Sequence, residues 1–327
     1  MNWHSFGAWI KAALALGAFT TAVIAQGADA LDGPLRILVA YPPGGVSDSI
    51  ARAIAERAAR QLRTPVIVEN RSGAGGLVAM ESLKRASPDG RTLVFSAISP
   101  LTIAPELGLP GLDPDLDVTP VISVMVTPVL VVGTSALAGD TLAAAISAAK
   151  ANPGRVRWAT SGVGTTGHRV LERVRAASGV DITHIPYKGG GPQLADALAG
   201  EFEVLSSNVG ELQFQYVREG RLKALAVGAP ARLDVLPGVP TLAEAGFPEA
   251  NLASTFGLFA PGRTPPHVVA RLNRVFDAAL RDPEIQRRLL ATGNVPTGGA
   301  AADFAAQIAR EREASGNLAR GSARQPR

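Results

Sequence analysis

The chain has 327 residues, 46% hydrophobic and 18% charged, and no cysteine. That is enough apolar content for packed cores in about two domains, and it excludes global disorder, a disulfide framework, a thiol nucleophile and cysteine zinc sites. The net charge is +4, but residues 310–327 hold five arginines against two glutamates, so the body is nearly neutral and lacks a nucleic-acid footprint.

At the N-terminus, Lys11 precedes the apolar run Ala12–Ala25, and small-x-small sites end at Ala25 and Ala30. The run is too short to span a bilayer comfortably. This is the pattern of a cleavable secretory signal over residues 1–30, with a buried N-terminal helix as the alternative. No later segment approaches the length of a membrane span, so an exported, periplasmic protein is expected.

Leu35–Tyr41 reads as a buried strand, followed by the turn Pro42-Pro43-Gly44-Gly45. Ser47 and Asp48 are candidate caps for a helix whose apolar positions Ile50, Ala51, Ile54, Ala58 and Leu62 recur at three and four residues. Val66–Val68 is the next strand, Glu69–Gly76 a glycine-rich turn, Leu77–Arg85 a helix and Thr92–Ser96 a third strand. Val118–Gly133, broken by Pro120 and Pro128, reads as one or two buried strands leading to a second lobe. The plan then repeats. Leu142–Lys150 is a helix, Arg155–Thr160 a strand, Ser161–Gly167 a glycine turn and His168–Ser178 a helix. Ile182–Ile185 is a strand, Pro186–Pro192 a turn and Gln193–Leu198 a helix. Glu203–Leu205 and Ala224–Val227 are short strands, and Phe256–Ala260 is a return strand. Helices over Pro266–Leu280 and Pro283–Ala291 follow, and a loose tail is expected from about residue 314. Strands alternating with helices imply an α/β fold with mainly parallel sheets.

Four times a strand is followed by a glycine-rich turn and a helix start, at Pro43–Ser47, Gly73–Gly76, Gly162–Thr166 and Gly189–Pro192. Glycine lets backbone N–H groups approach a ligand closely, and a helix N-terminus offers unpaired donors and partial positive charge. Such turns form ready anion sites, although any one of them can be simply a tight turn. Residues 162–167 spell the dinucleotide pattern G-x-G-x-x-G, but no acidic residue ends the next strand, where Pro186-Tyr187-Lys188 stand. No cofactor is expected.

Catalytic constellations are thin. No Gly-x-Ser-x-Gly elbow occurs, and a nucleophile–base pair of Ser161 with His168 is the remaining hydrolase candidate. Tyr187 and Lys188 either contact a ligand or bridge the lobes. Asn208 either points into a cleft or forms a turn.

Several ordered motifs resemble one family. They are Tyr41-Pro-Pro-Gly-Gly45 with Asp48, Val68-Glu-Asn-Arg71 with Gly73-Ala-Gly-Gly76, Ser87–Leu93, Ser161–Thr165 with His168, Ile185–Gly189, Leu222–Val227 and Pro237–Gly246. Together they resemble the Bug family, the extracytoplasmic solute receptors of tripartite tricarboxylate transporters, over about Leu35–Glu313. The resemblance implies a two-lobed Venus-flytrap α/β fold with two crossover strands, in which residues 31–126 and 253–327 form one lobe and 127–252 the other. It implies a monomer that binds a small organic carboxylate and hands it to integral-membrane permease subunits; a sensor feeding a membrane kinase is the alternative. It places ligand contacts at Tyr41, Gly44, Gly45, Ser47 and Asp48, at Ala74, Gly75 and Gly76, at Gly164, Thr165 and Thr166, and at Ser96 and Asn208. Three departures stand out. Val46 replaces a common hydroxyl residue, Ser207 replaces a common aspartate, and the C-terminal end lacks a common tryptophan-bearing helix.

Overall fold

The computed structural model describes residues 33–109 and 112–322, of which 316–322 are described by backbone alone. The expected signal segment lies outside these residues. No helix among them is long and apolar enough to cross a membrane.

The first half-sheet is nucleated by local βα units. Strand β1 (Leu35–Val39) leads into α1 (Val46–Leu62), β2 (Val66–Asn70) into α2 (Leu77–Lys84), and β3 (Thr92–Ala97) into the short α3 (Ser99–Thr102). β1 pairs in parallel with both β2 and β3. Strand β4 (Val118–Gly133) then runs on as one strand. Its prolines do not break it. Pro120 sits at a register shift, and Pro128 sits where one set of partners hands over to another. Sheets tolerate proline at such places because no ladder N–H is required there.

The second half-sheet follows the same plan. α4 (Leu142–Ala151), β5 (Arg157–Thr160), α5 (Thr166–Ser178), β6 (Thr183–Pro186), α6 (Gly190–Ala199), β7 (Val204–Asn208), α7 (Glu211–Arg218) and β8 (Lys223–Gly228) come in that order. β5 pairs in parallel with β6 and β7. The chain returns through β9 (Ala253–Pro261), α8 (Pro266–Leu280), α9 (Pro283–Ala291), β10 (Val295–Pro296) and α10 (Ala301–Ser322). β9 lies antiparallel between β3 and the first part of β4, and the last part of β4 lies antiparallel between β7 and β8. Each half-sheet is therefore mixed. Its parallel portion is the part built from βα units, and its antiparallel portion is the crossover.

Helices cover both faces of both halves. α1 and α8 bury Ile54, Leu272 and Phe276 against Ile37, Phe95 and Phe256 on one face. α2 and α10 bury Met80, Phe304 and Ile308 against Leu38, Val94 and Phe259 on the other. In the second half, Trp158 packs with Leu171 and Val174, and Phe202 and Phe214 pack with Leu130 and Leu205.

Three expectations are corrected. The loose tail is instead the later part of α10, which runs to Ser322. Phe304 and Ile308 are buried, and a methyl group at Gly257 would stand 2.3 Å from Phe304 Cζ, so this helix is pinned to β9. Neither Ser47 nor Asp48 caps α1, whose N-cap is Gly45 without a side-chain bond. α5 begins at Thr166, because Thr165 is its cap, its hydroxyl taking the N–H of His168 at 3.2 Å.

Candidate functional site

The four glycine turns meet. A methyl group at Gly75 would stand 2.8 Å from Val163 O and 3.2 Å from Thr165 Cγ2, so the second turn touches the third. A methyl group at Gly189 would stand 2.6 Å from Pro42 Cδ, so the first turn touches the fourth. Gly75 has φ +64°, which glycine adopts without strain. Further along the seam, Gly164 lies against Ala104 and Leu109, and Gly210 against Val46. Arg169 of α5 bonds Glu106, just beyond α3, with both side chains only 12% exposed. Two turns from each half thus close upon one another.

The first turn is braced from within. Asp48 is buried, and its carboxylate accepts from Gly44 N–H at 3.1 Å, Arg52 Nε at 3.0 Å and Asn70 Nδ2 at 2.9 Å. Asn70 Nδ2 also donates to Tyr41 O at 3.1 Å. Burial acts to raise the Asp48 pKa, but the bonds from Arg52, Gly44 and Asn70 prevail and hold it below the usual carboxylate range. Asp48 therefore shapes the turn, and the Gly44 N–H is already occupied. The first helical bond of α1 is Ser49 N–H to Gly45 O, so the amides of Val46, Ser47 and Asp48 precede it without helical acceptors.

The third turn is braced the same way. Gly164 N–H donates to His168 Nδ1 at 3.3 Å, and Thr165 Oγ1 donates to Gly162 O at 2.8 Å. The His168 and His184 rings stack at 4.4 Å, and His184 Nε2 lies 2.7 Å from Thr160 Oγ1. Burial lowers the pKa of both, with His184 reaching about 4. Both are neutral near pH 7, which His168 Nδ1 must be to accept a hydrogen bond. The candidate Ser161–His168 pair, the alternative hydrolase reading, is not formed: among the described residues no hydrogen bond joins them, and His168 is bonded to the turn instead.

The remaining predicted residues divide. Tyr41 OH accepts from Ala97 N–H at 3.1 Å, and its ring packs on Phe256 at 5.5 Å; burial raises its pKa. Ser96, fully buried beside that phenol, makes no hydrogen bond of full geometry and lies 3.1 Å from the position of a methyl group on Gly76. Gly76 and Ala74, both at positive φ, carry the second turn into α2. Asn208 Nδ2 donates to Thr127 O at 3.2 Å, tying the end of β7 to the crossover. Thr166 lines a separate cavity of about 310 Å³ with Thr102, Arg169, Thr255 and Glu311. Tyr187 OH donates to Asp196 at 2.7 Å, and that bond together with burial, the larger cause, pushes its pKa up to about 12. Sequence reasoning missed Glu106, Arg169, Thr127 and Gln213. Each lies near a half-to-half contact, and no local pattern marks such a position.

A two-lobed receptor of the periplasmic-binding-protein class is what the crossed half-sheets and facing turns define. The chain belongs to the tripartite tricarboxylate transporter receptor family, whose pattern it matches over residues 50–321. This is a family of periplasmic binding receptors, not enzymes. The chain is 35% identical to Protein BugT of Bordetella pertussis over 266 residues, covering 80% of this chain and 81% of the relative. Its fold matches MatC of Rhodopseudomonas palustris with bound malate at a TM-score of 0.83 and 28% identity, covering 88% of this chain and 99% of that one. It matches R. palustris Rpa4515 with adipate at 0.82 and 30% identity, covering 88% and 97%.

Proposed function

We propose that this receptor captures a small organic carboxylate between its lobes and delivers it to a tripartite-type permease. The observation that carries the reading is the meeting of the glycine turns, two from each half, with the first of them leading into the N-terminus of α1. The amides of Val46, Ser47 and Asp48 supply donors and the positive end of the helix dipole to an anion. Because Gly44 and Gly164 donate internally, the grip falls on the helix start more than on the glycines themselves. Relatives in this family crystallised with malate and adipate are consistent with the ligand class. Lobe boundaries at about 126/127 and 252/253 are supported by the handover of β4 from β9 to β7 and β8 after Pro128, and by the start of β9 at Ala253. Membership of a transporter-receptor family favours a permease over a kinase as the recipient.

Thermal-shift and calorimetric screening against mono- and dicarboxylates tests the reading. A ligand at 100 times its dissociation constant adds about 2.7 kcal/mol of stability. No stabilisation by any member of such a panel would refute it.

A further inference from the structure

The cavity of about 310 Å³ that Thr166 lines has a chemistry of its own. Thr166, Arg169 and Arg173 recur at three and four residues, so one face of α5 forms a wall. α3 contributes Ser99 and Thr102, β9 contributes Thr255, and α10 contributes Glu311. The walls therefore come from both halves. The volume falls at the lower end of small-molecule sites, about 300–1,000 Å³.

Two groups of opposite charge line it without pairing. Arg169 is neutralised by Glu106. Arg173, one turn further on, is half-buried and makes no hydrogen bond or salt bridge among the described residues. Burial, the largest cause, and then Arg169 lower its pKa, against a weaker pull from Glu249 and Glu106. An anionic group beside this guanidinium relieves both the burial and the like charge. Glu311 is half-buried too, and burial raises its pKa. Its Oε1 accepts from Thr255 Oγ1 at 3.2 Å and from Gln307 Nε2 at 3.3 Å, while its Oε2 has no partner among the described residues. The cation that acts on Glu311 is Arg310, not Arg173. The cavity's cation and its carboxylate thus leave each other unsatisfied.

We propose that this cavity is a second ligand site, separate from the carboxylate grip at the start of α1, and that it takes a small zwitterion, with a carboxylate on Arg173 and an ammonium group on Glu311. A simple anion would meet Glu311 as a like charge, and a simple cation would leave Arg173 uncompensated. A molecule that carries both charges satisfies the two walls at once. The proposal goes beyond the carboxylate reading and does not depend on it.

Calorimetry on the full mature protein tests this with glycine, 4-aminobutanoate and 6-aminohexanoate, and with butanoate and butylamine as single-charge counterparts. The best of the three zwitterions is expected to bind about ten-fold or more tighter than either counterpart. Arg173→Met and Glu311→Gln each weaken it by about ten-fold or more. Val46→Pro, which removes an amide from the grip at α1, leaves it unchanged. Thermal melts establish that the variants fold, and Arg173→Met decides the matter if Glu311→Gln does not. No binding of any zwitterion to the folded wild type overturns the proposal, as does butanoate binding as tightly as the best of them. A zwitterion lost in Val46→Pro and kept in Arg173→Met lies in the main cleft, which overturns it too. Failure of the carboxylate reading shows instead as a silent panel of mono- and dicarboxylates, and leaves these ratios untouched.

Discussion

Arg169 of α5 and Glu106 beyond α3 form an ion pair across the seam between the two halves. Both side chains are mostly buried, so removing one partner leaves an uncompensated charge in the closed form. Opening the lobes returns that charge to water. The cost therefore falls on closure more than on folding. Glu106→Gln and Arg169→Met are expected to weaken ligand binding by about ten- to a hundred-fold, roughly 1.4–2.7 kcal/mol, with little change in the ligand-free melting temperature. Titration calorimetry beside thermal melts checks this; equal losses in both would make the pair a folding element instead of a latch.

Gly75 offers a steric test of closure. Alanine there carries a methyl group to within 2.8 Å of Val163 O, and φ +64° adds about 1–2 kcal/mol of strain. The open form feels only the strain. Gly75→Ala is expected to remain folded but to lose most of its ligand-induced compaction in small-angle scattering. Normal compaction in the variant would show that the second and third turns need not touch.

The amide of Val46 can be deleted without breaking α1. It is the first helical residue after the N-cap Gly45, whose ψ of 172° suits a following proline. Val46→Pro is expected to cost about 1.5–3 kcal/mol of carboxylate binding, the worth of a hydrogen bond to a charged group. Val46→Ala controls for the lost contact with Gly210. Equal affinities in the two variants would remove this amide from the ligand grip.

The His168–His184 stack makes stability depend on pH. Histidine titrates near 6.5 in an unfolded chain, whereas burial holds both of these lower, His184 at about 4. Protons therefore bind the unfolded state first as pH falls. The contribution is complete above about pH 6.5 and is lost progressively down to about pH 4. Glu172 opposes the shifts, while Arg169 (toward His168) and Arg175 (toward both) reinforce them. Half-buried Glu311, with a raised pKa, works in the opposite direction over part of the window. Urea unfolding from pH 7 to 4.5 is expected to slope less steeply in His184→Asn than in the wild type, Glu311 being common to both. Parallel slopes would clear the pair of this role.

Phe304 tests the anchoring of α10 to the first lobe. Its ring fills the space over Gly257, fully buried against Phe259. Phe304→Ala is expected to cost about 3–5 kcal/mol in urea unfolding. A loss below about 1 kcal/mol would mean that α10 contributes little to the first lobe.

The sequence by itself determined the order of strands, turns and helices, because each depends on neighbours a few residues apart. Apolar runs mark β1 and β3, and proline at the first turn marks α8 and α9, whose ranges match expectation. Glycines mark all four turns, and the family motifs lie on the same segments. Only the tertiary structure decided which N–H groups stay open. Gly44 is claimed by Asp48, four residues on, and Gly164 by a histidine whose orientation depends on stacking against β6. α10 escaped the reading because its anchor, the bare face of Gly257, lies on a distant strand. Arg169 was equally silent, since its meaning comes from Glu106 in the other half. Local spacing fixes dihedral angles and apolar faces; the partner of a hydrogen bond across two lobes is fixed only when the crossover strands bring the lobes together.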